Sequence, residues 1–231
     1  MSYQLDTLES MNNYYDWIMD EFNPHIGTRV IEIGAGIGTI SQRLLANKHI
    51  EHLWIIEPDD TYASILTDKF SGISNITIII STVENISCEF VTSLNIDTVI
   101  MVNLLEHIYD DSALLDKLYH ALPYNSKVLT FSPAFPLLYS KYDKLVGHYR
   151  RYTKKSINCI FKAAHFNTIS VKYFNFLGFF TWLLFMKFLN HNTFGEKKLK
   201  IYNIIINILK FIEHKIPVPI GQSVIATYIK C

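Results

Sequence analysis

Three stretches of this 231-residue chain carry residue types and spacings that can do chemistry. The first is Val30-Ile31-Glu32-Ile33-Gly34-Ala35-Gly36-Ile37-Gly38-Thr39, between an apolar β-branched run and a helical-period segment. Glycines there permit a sharp turn and let backbone amides approach a ligand with no Cβ in the way. The spacing is G-x-G-x-G, not the dinucleotide G-x-G-x-x-G. Glu57 ends the next apolar run, 23 residues after Gly34, and Glu57-Pro58-Asp59 leads into a helix. A carboxylate there can accept hydrogen bonds from both ribose hydroxyls of an adenosine. Each piece alone is compatible with an ordinary turn; the pieces in this order point to a nucleotide site.

The second stretch is Glu106-His107, after a fourth apolar run. His107 can act as a base, or it can cap the following helix and pack on the sheet. The third runs from Ser132 to Thr153. Pro133 and Pro136 stiffen its start, and Tyr139 is placed to close over a substrate. From Lys141 to Lys155 six cations (Lys141, Lys144, Arg150, Arg151, Lys154, Lys155) stand against the single acid Asp143, a local charge of +5 in a chain with no net charge. A solvated basic loop is the plain explanation. The interleaved tyrosines and His148 favour a loop that faces substrate: Arg150 and Arg151 match phosphate or carboxylate, Tyr139 and Tyr152 supply walls, and His148 is a base oriented by Asp143. No H-e-x-x-H-type spacing is present, and Cys88, Cys159 and Cys231 lie far apart, so neither a metal site nor a disulfide is expected.

The elements that must position these groups alternate. Strands are predicted at 29–33, 52–57, 75–81, 96–103 and 127–131, with helices at 6–22, 39–47, 61–70 and 110–122. That alternation implies a parallel sheet covered by helices. Further on come a helix at 154–164, a strand at 168–174, helices at about 176–190 and 196–214, and a last strand at 223–229. One doubly wound α/β domain over 1–231 accounts for all of it, with an N-terminal cover helix (1–25), a substrate loop (132–153) and a helical insertion (175–216). Lysines and arginines equal acids at 21 each, which argues against a general nucleic-acid binder. Met1 to Glu9 carries no leader-like run, and the cysteine usage fits a reducing cytoplasm. Tyr173 to Asn190 is apolar over 18 residues with one charge, Lys187. A membrane span needs about 20 such residues, so a buried or interfacial helix is expected.

Val30 to Thr39, Glu57 and Met101-Val-Asn-Leu-Leu-Glu-His-Ile108 together resemble the class I S-adenosylmethionine-dependent methyltransferases, over nearly the whole chain. The likeness is strongest to a bacterial subgroup with a G-H-x-R-R-Y-T segment, here Gly147 to Thr153. It implies a Rossmann-like seven-stranded sheet, order 3-2-1-4-5-7-6 with strand 7 antiparallel, and S-adenosylmethionine as cofactor. It further implies that Glu32 organises the turn and the methionine end, that Gly34, Ala35, Gly36 and Gly38 line the cofactor, that Glu57 holds the ribose, and that Asn103 offers its carbonyl. The family often has an acid after strand 3, where this chain has Thr82; adenine contact then falls to Thr82, to backbone groups around Val83, or to Glu84. Tyr14 in the cover helix can reach the cofactor carboxylate, or serve as an aromatic staple.

The expected activity is methyl transfer to an oxygen of a small or lipid-linked, anionic acceptor, with no metal and no nucleic acid. The insertion helices are expected to extend the core or to form a greasy lid or membrane-facing patch, with Lys197, Lys198, Lys200, Lys210 and Lys215 toward headgroups. The other readings are an NAD(P)-dependent oxidoreductase, which the glycine spacing disfavours, and a non-catalytic cofactor-binding protein at a membrane.

Overall fold

Short runs such as Arg29-Val-Ile-Glu-Ile33, apolar on alternate and often consecutive positions, suit strands covered on both faces. The computed structural model, which describes residues 11–189 and 196–231, places them in one seven-stranded sheet. Its strands are β1 (Arg29–Ile33), β2 (His52–Ile56), β3 (Ile76–Ile79), β4 (Thr98–Val102), β5 (Lys127–Pro133), β6 (Phe166–Phe174) and β7 (Ser223–Lys230). The order is β3-β2-β1-β4-β5-β7-β6, as the resemblance implied. β1 to β5 are parallel, and β7 runs antiparallel between β5 and β6. β1 lies between β2 and β4, so its carboxyl end is a point where the winding reverses, the crevice in which such sheets bind ligands.

Alternation along the strands divides the core into two layers. Ile31, Ile33, Val99 and Met101 face helices α5 (Asp111–Ala121) and α7 (Lys154–Ala163), while Val30, Leu53, Ile100 and Phe131 face α1 (Asn12–Phe22), α2 (Thr39–Leu45) and α3 (Asp60–Lys69). Polar caps set where the helices start: Asp59 accepts from the amides of Thr61 and Tyr62, and Asp110 from that of Ala113. The part of the predicted first helix before Met11 lies outside the described residues. So do residues 190–195 and the side chains of Lys197, Lys198 and Lys200.

Two helices were not predicted. α4 (Cys88–Ser93) is capped by Ser87, and α6 (Lys141–Val146) lies inside the stretch read as loop. Each has six residues, too few to show a helical period. α8 (Phe176–Trp182) continues as a π-helix over Leu183–Phe188. On that segment Phe179, Trp182 and Met186 are buried against Leu138, whereas Phe176, Phe180, Leu184 and Phe188 are exposed. α9 (Glu196–Lys215) has the same division: Ile206 is buried, but Ile201, Ile204, Ile208, Phe211 and Ile212 are bare. Asn203 holds α9 to Asn13 of α1, and Lys210 pairs with Asp20. Among the described residues no helix is long and apolar enough to cross a membrane.

Candidate active site

The glycine turn begins where β1 ends. Gly34, Gly36 and Gly38 have φ of +77°, +55° and +80°, the left-handed region that disfavours side chains. Their surroundings differ. A Cβ on Gly34 would come within 2.8 Å of Leu104 Cδ1, and one on Gly38 within 2.7 Å of Leu66, but one on Gly36 meets nothing within 4 Å. The outer glycines serve packing, and the middle one borders open space, a cradle that any side chain would fill. The Gly36 amide donates to Glu57 Oε2 at 2.7 Å and that of Asp59 to Oε1 at 3.0 Å, so the acid at the end of β2 holds the turn from beside it. Each oxygen keeps a lone pair for a further donor. Burial raises the Glu57 pKa, with the two amides pulling it back. Glu32, buried under the turn, accepts from Ser41 Oγ at 2.6 Å; burial pushes its pKa up to about 7, and neighbouring Glu57 adds to the rise.

Around this turn lie the other predicted cofactor groups. Ala35 is half-buried within it, and Pro58 is exposed beyond Glu57. Asn103 follows β4 with φ +51° and donates its amide to the Phe131 carbonyl at 2.7 Å. After β3, Thr82 and Glu84 are exposed and Val83 is buried; Lys117 binds the carbonyls of Val83 and Glu84 at 3.1 and 2.9 Å. Tyr14 packs edge-on against Phe131 and Phe174, with centroids 6.1 and 5.6 Å away. Burial and the neighbouring Tyr202 raise its phenol pKa, against hydrogen bonding to Ser223 and Asn175. Those are the surroundings of an aromatic staple.

Leu104, which touches Gly34, is two residues from a second cluster. Glu106, His107 and His148 bring one ligand-type atom each to within 4.8 Å of one another. The Tyr149 amide joins the two segments by donating to the Glu106 carbonyl at 2.8 Å. α6 and its ends aim His148. Asp143 closes the first turn of α6 through Ser140, Gly147 ends it with φ +84°, and the next residue is His148. Asp143 Oδ1 lies 2.8 Å from His148 Nδ1 and accepts from Arg151 Nε at 2.8 Å. Burial alone would raise Asp143, but His148 and Arg151 outweigh it and hold the pKa at about 2. An ionised carboxylate only accepts, so Nδ1 is the nitrogen that donates to Asp143 and Nε2 is the one left for another partner.

Nε2 faces Glu106 Oε1 at 4.0 Å. Glu106 is fully buried, neither of its oxygens has a hydrogen-bond partner in the protein, and burial pushes its pKa up to about 7, against the pull of His148. The His107 ring stands edge-on to His148 with centroids 4.6 Å apart and keeps a solvent-facing side. Dense packing around it, then His148, lower its pKa to about 4, so it is neutral at physiological pH. The expected absence of a metal site came from spacing along the chain, which does not register a meeting of residues 106 and 148.

The structure corrects the reading of the basic stretch. Arg151 is buried, forks onto Asp143 and stacks over Trp182 at 4.5 Å. Arg150 is bound to Asp111 at 2.8 Å and to the Tyr109 carbonyl at 2.6 Å. Tyr152 is buried and donates to Asp111 at 2.7 Å. These three side chains hold the loop rather than face a substrate. Tyr139 is half-buried and its hydroxyl donates to the His148 carbonyl at 2.6 Å. Lys141 and Lys144, with Tyr139, Ser140 and Lys187, line a cavity of about 270 Å³. Asp111 was missed as a site-building acid, and Glu106 was named beside His107 without a role of its own; their sequence signal is an acid at a helix start, or beside a histidine, just after a strand.

A family model for ribosomal RNA adenine dimethylase matches residues 7–99, two-fifths of the chain, which hold the glycine turn and Glu57. No curated protein matches. Many solved structures share the fold. The N-methyltransferase NodS from Bradyrhizobium japonicum WM9, solved with S-adenosyl-L-homocysteine, aligns with a TM-score of 0.60 at 10% identity, over 94% of this chain and 85% of its own. A SAM-dependent methyltransferase from Archaeoglobus fulgidus aligns with a TM-score of 0.60 at 18% identity, over 92% and 91%. The [4+2]-cyclase SpnF aligns with a TM-score of 0.58 at 12% identity, over 95% and 81%. The fold is that of class I S-adenosylmethionine-dependent methyltransferases, and the glycine turn and the family-model match agree with S-adenosylmethionine as cofactor. The residues fit that group, since an open backbone cradle at Gly36 adjoins a buried carboxylate with lone pairs to spare.

Proposed function

We propose that the enzyme methylates an oxygen of a small amphiphilic or lipid-linked, anionic acceptor. The observation that carries this reading is the Glu106–His107–His148 cluster beside the glycine turn. When bound, S-adenosylmethionine supplies an electrophilic methyl group. An acceptor hydroxyl must give up its proton to become a good nucleophile, and Nε2 of His148, the ring nitrogen not engaged by Asp143, is the group assigned to take it. The buried Glu106 carboxylate stands ready to stabilise the charge that results. Lys141 and Lys144 replace the arginines as the cations for an anionic head, and the bare stripes of α8 and α9 offer an apolar surface for a tail.

Ribosomal RNA is what the family model's own members act on, and it forms the second reading. Its match stops at residue 99, before the proton-handling cluster and the lysine-lined cavity. The test is transfer of a labelled methyl group to three acceptors side by side: a long-chain hydroxy acid in mixed micelles, its short-chain analogue, and ribosomal RNA. Label in the long-chain acid is the expected result. Label in RNA alone would overturn the proposal. In the same assay His148→Ala should lower kcat by roughly 10²–10⁴, with affinity for S-adenosylhomocysteine unchanged.

A further inference from the structure

His148 Nε2 and the buried Glu106 carboxylate, whose oxygens have no hydrogen-bond partner in the protein, face each other across 4.0 Å. Leaving a carboxylate unpaired in the interior is costly, and such groups are normally paired or bound to a metal. His107 completes a set of two nitrogens and one oxygen within 4.8 Å of one another. Ligands bonded to one ion at about 2.0–2.2 Å sit roughly 3–4 Å apart, so small side-chain rotations would close the set.

We propose that Glu106, His107 and His148 form a binding site for a divalent first-row transition-metal ion. The surroundings are those of a metal centre. Asp143 accepts from His148 Nδ1 at 2.8 Å, the carboxylate–histidine arrangement that fixes a ligating ring and strengthens its other nitrogen as a donor. The Tyr139 hydroxyl and the α6 capping box hold the same segment in place. His107 keeps a solvent-facing side, which provides a way in and leaves coordination positions open. Two histidines and one carboxylate with open positions suit zinc, iron, cobalt or manganese rather than magnesium or calcium. An ion there takes the Nε2 lone pair and lowers the pKa of a hydroxyl bound to it; without the ion, the acceptor's proton falls to His148 alone.

The probe is cobalt(II), whose visible absorption reports ligand type and coordination number. Chelator-treated full-length protein, with its thiols alkylated so that Cys88, Cys159 and Cys231 bind nothing, is titrated with cobalt(II). Binding of one equivalent with d–d bands of a four- or five-coordinate nitrogen–oxygen site is expected. Affinity should fall at least tenfold in Glu106→Gln and in His107→Gln, with zinc competing for the same equivalent. S-adenosylhomocysteine binding is measured in parallel and should be unchanged in both variants, so loss of the cofactor reading is distinguished from loss of the metal site. His107 is exposed, so its variant carries the comparison if Glu106→Gln does not fold. No cobalt bound, or cobalt bound equally well by His107→Gln, overturns the proposal.

Discussion

At the scale of single residues, the three glycines of the turn separate packing from ligand contact. Gly36→Val should abolish S-adenosylhomocysteine binding in a calorimetric titration while lowering stability by only about 1–2 kcal/mol, the cost of a side chain in the left-handed region. The space around Gly36 supports this, because a Cβ there meets no protein atom within 4 Å. The same change at Gly34 or Gly38 drives a side chain into Leu104 or Leu66, and should cost fold as well as ligand. Glu32 makes a pH prediction. Its folded pKa of about 7 lies above the unfolded value of 4.5, so the native state holds its proton more tightly. The stability this contributes is complete below about pH 4.5 and is lost as pH rises through 7, by about 3 kcal/mol. Glu32→Gln, which still accepts from Ser41, should flatten that part of the decline in a series of melts from pH 5 to 8.

At the scale of elements, the six-residue helix α6 shows how a buried ion pair aims a site. Asp143 serves three partners: the helix start at Ser140, the ring of His148, and the guanidinium of Arg151, itself held between Asp143 and Trp182. Arg151→Met should cost about 3–5 kcal/mol in a denaturant titration, because it strands the Asp143 charge in the interior. Turnover of the folded fraction should fall as well, since His148 loses its fixed orientation. Six cations against one acid suggested a surface for anions, yet Arg150 and Arg151 are consumed by Asp111 and Asp143. Charge counted along a chain does not tell which side chains turn inward. The Asp143–His148 pair was legible, because five residues with a glycine between them fit one tight turn. Glu106 was not, because its partner lies beyond another strand and helix.

At the scale of the molecule, the sheet was the most legible feature. Each strand is a short apolar run bounded by turn residues, and the glycine turn pointed to a family whose strand order the structure reproduces. The insertion was legible in its helices but not in its faces, since an apolar segment does not announce which half is covered. The bare stripes lead to a prediction for the whole protein: it should co-sediment with anionic vesicles at low salt. A variant with Phe180, Leu184, Ile204 and Ile208 all changed to Ser should stay in the supernatant with a nearly unchanged melting temperature, because exposed positions cost little to alter. The placement of β7 has another outcome, which concerns synthesis. β5 leaves the ribosome with one edge unpaired, and the strand that covers it, Ser223–Lys230, follows only after residues 134–222 have been translated. Through that interval a seven-residue, largely apolar edge is available to the same edge of a neighbouring nascent chain. Crowded polysomes are therefore where this protein is most exposed to aggregation, and a chaperone acting during translation protects it at a stage that dilution after folding does not reach.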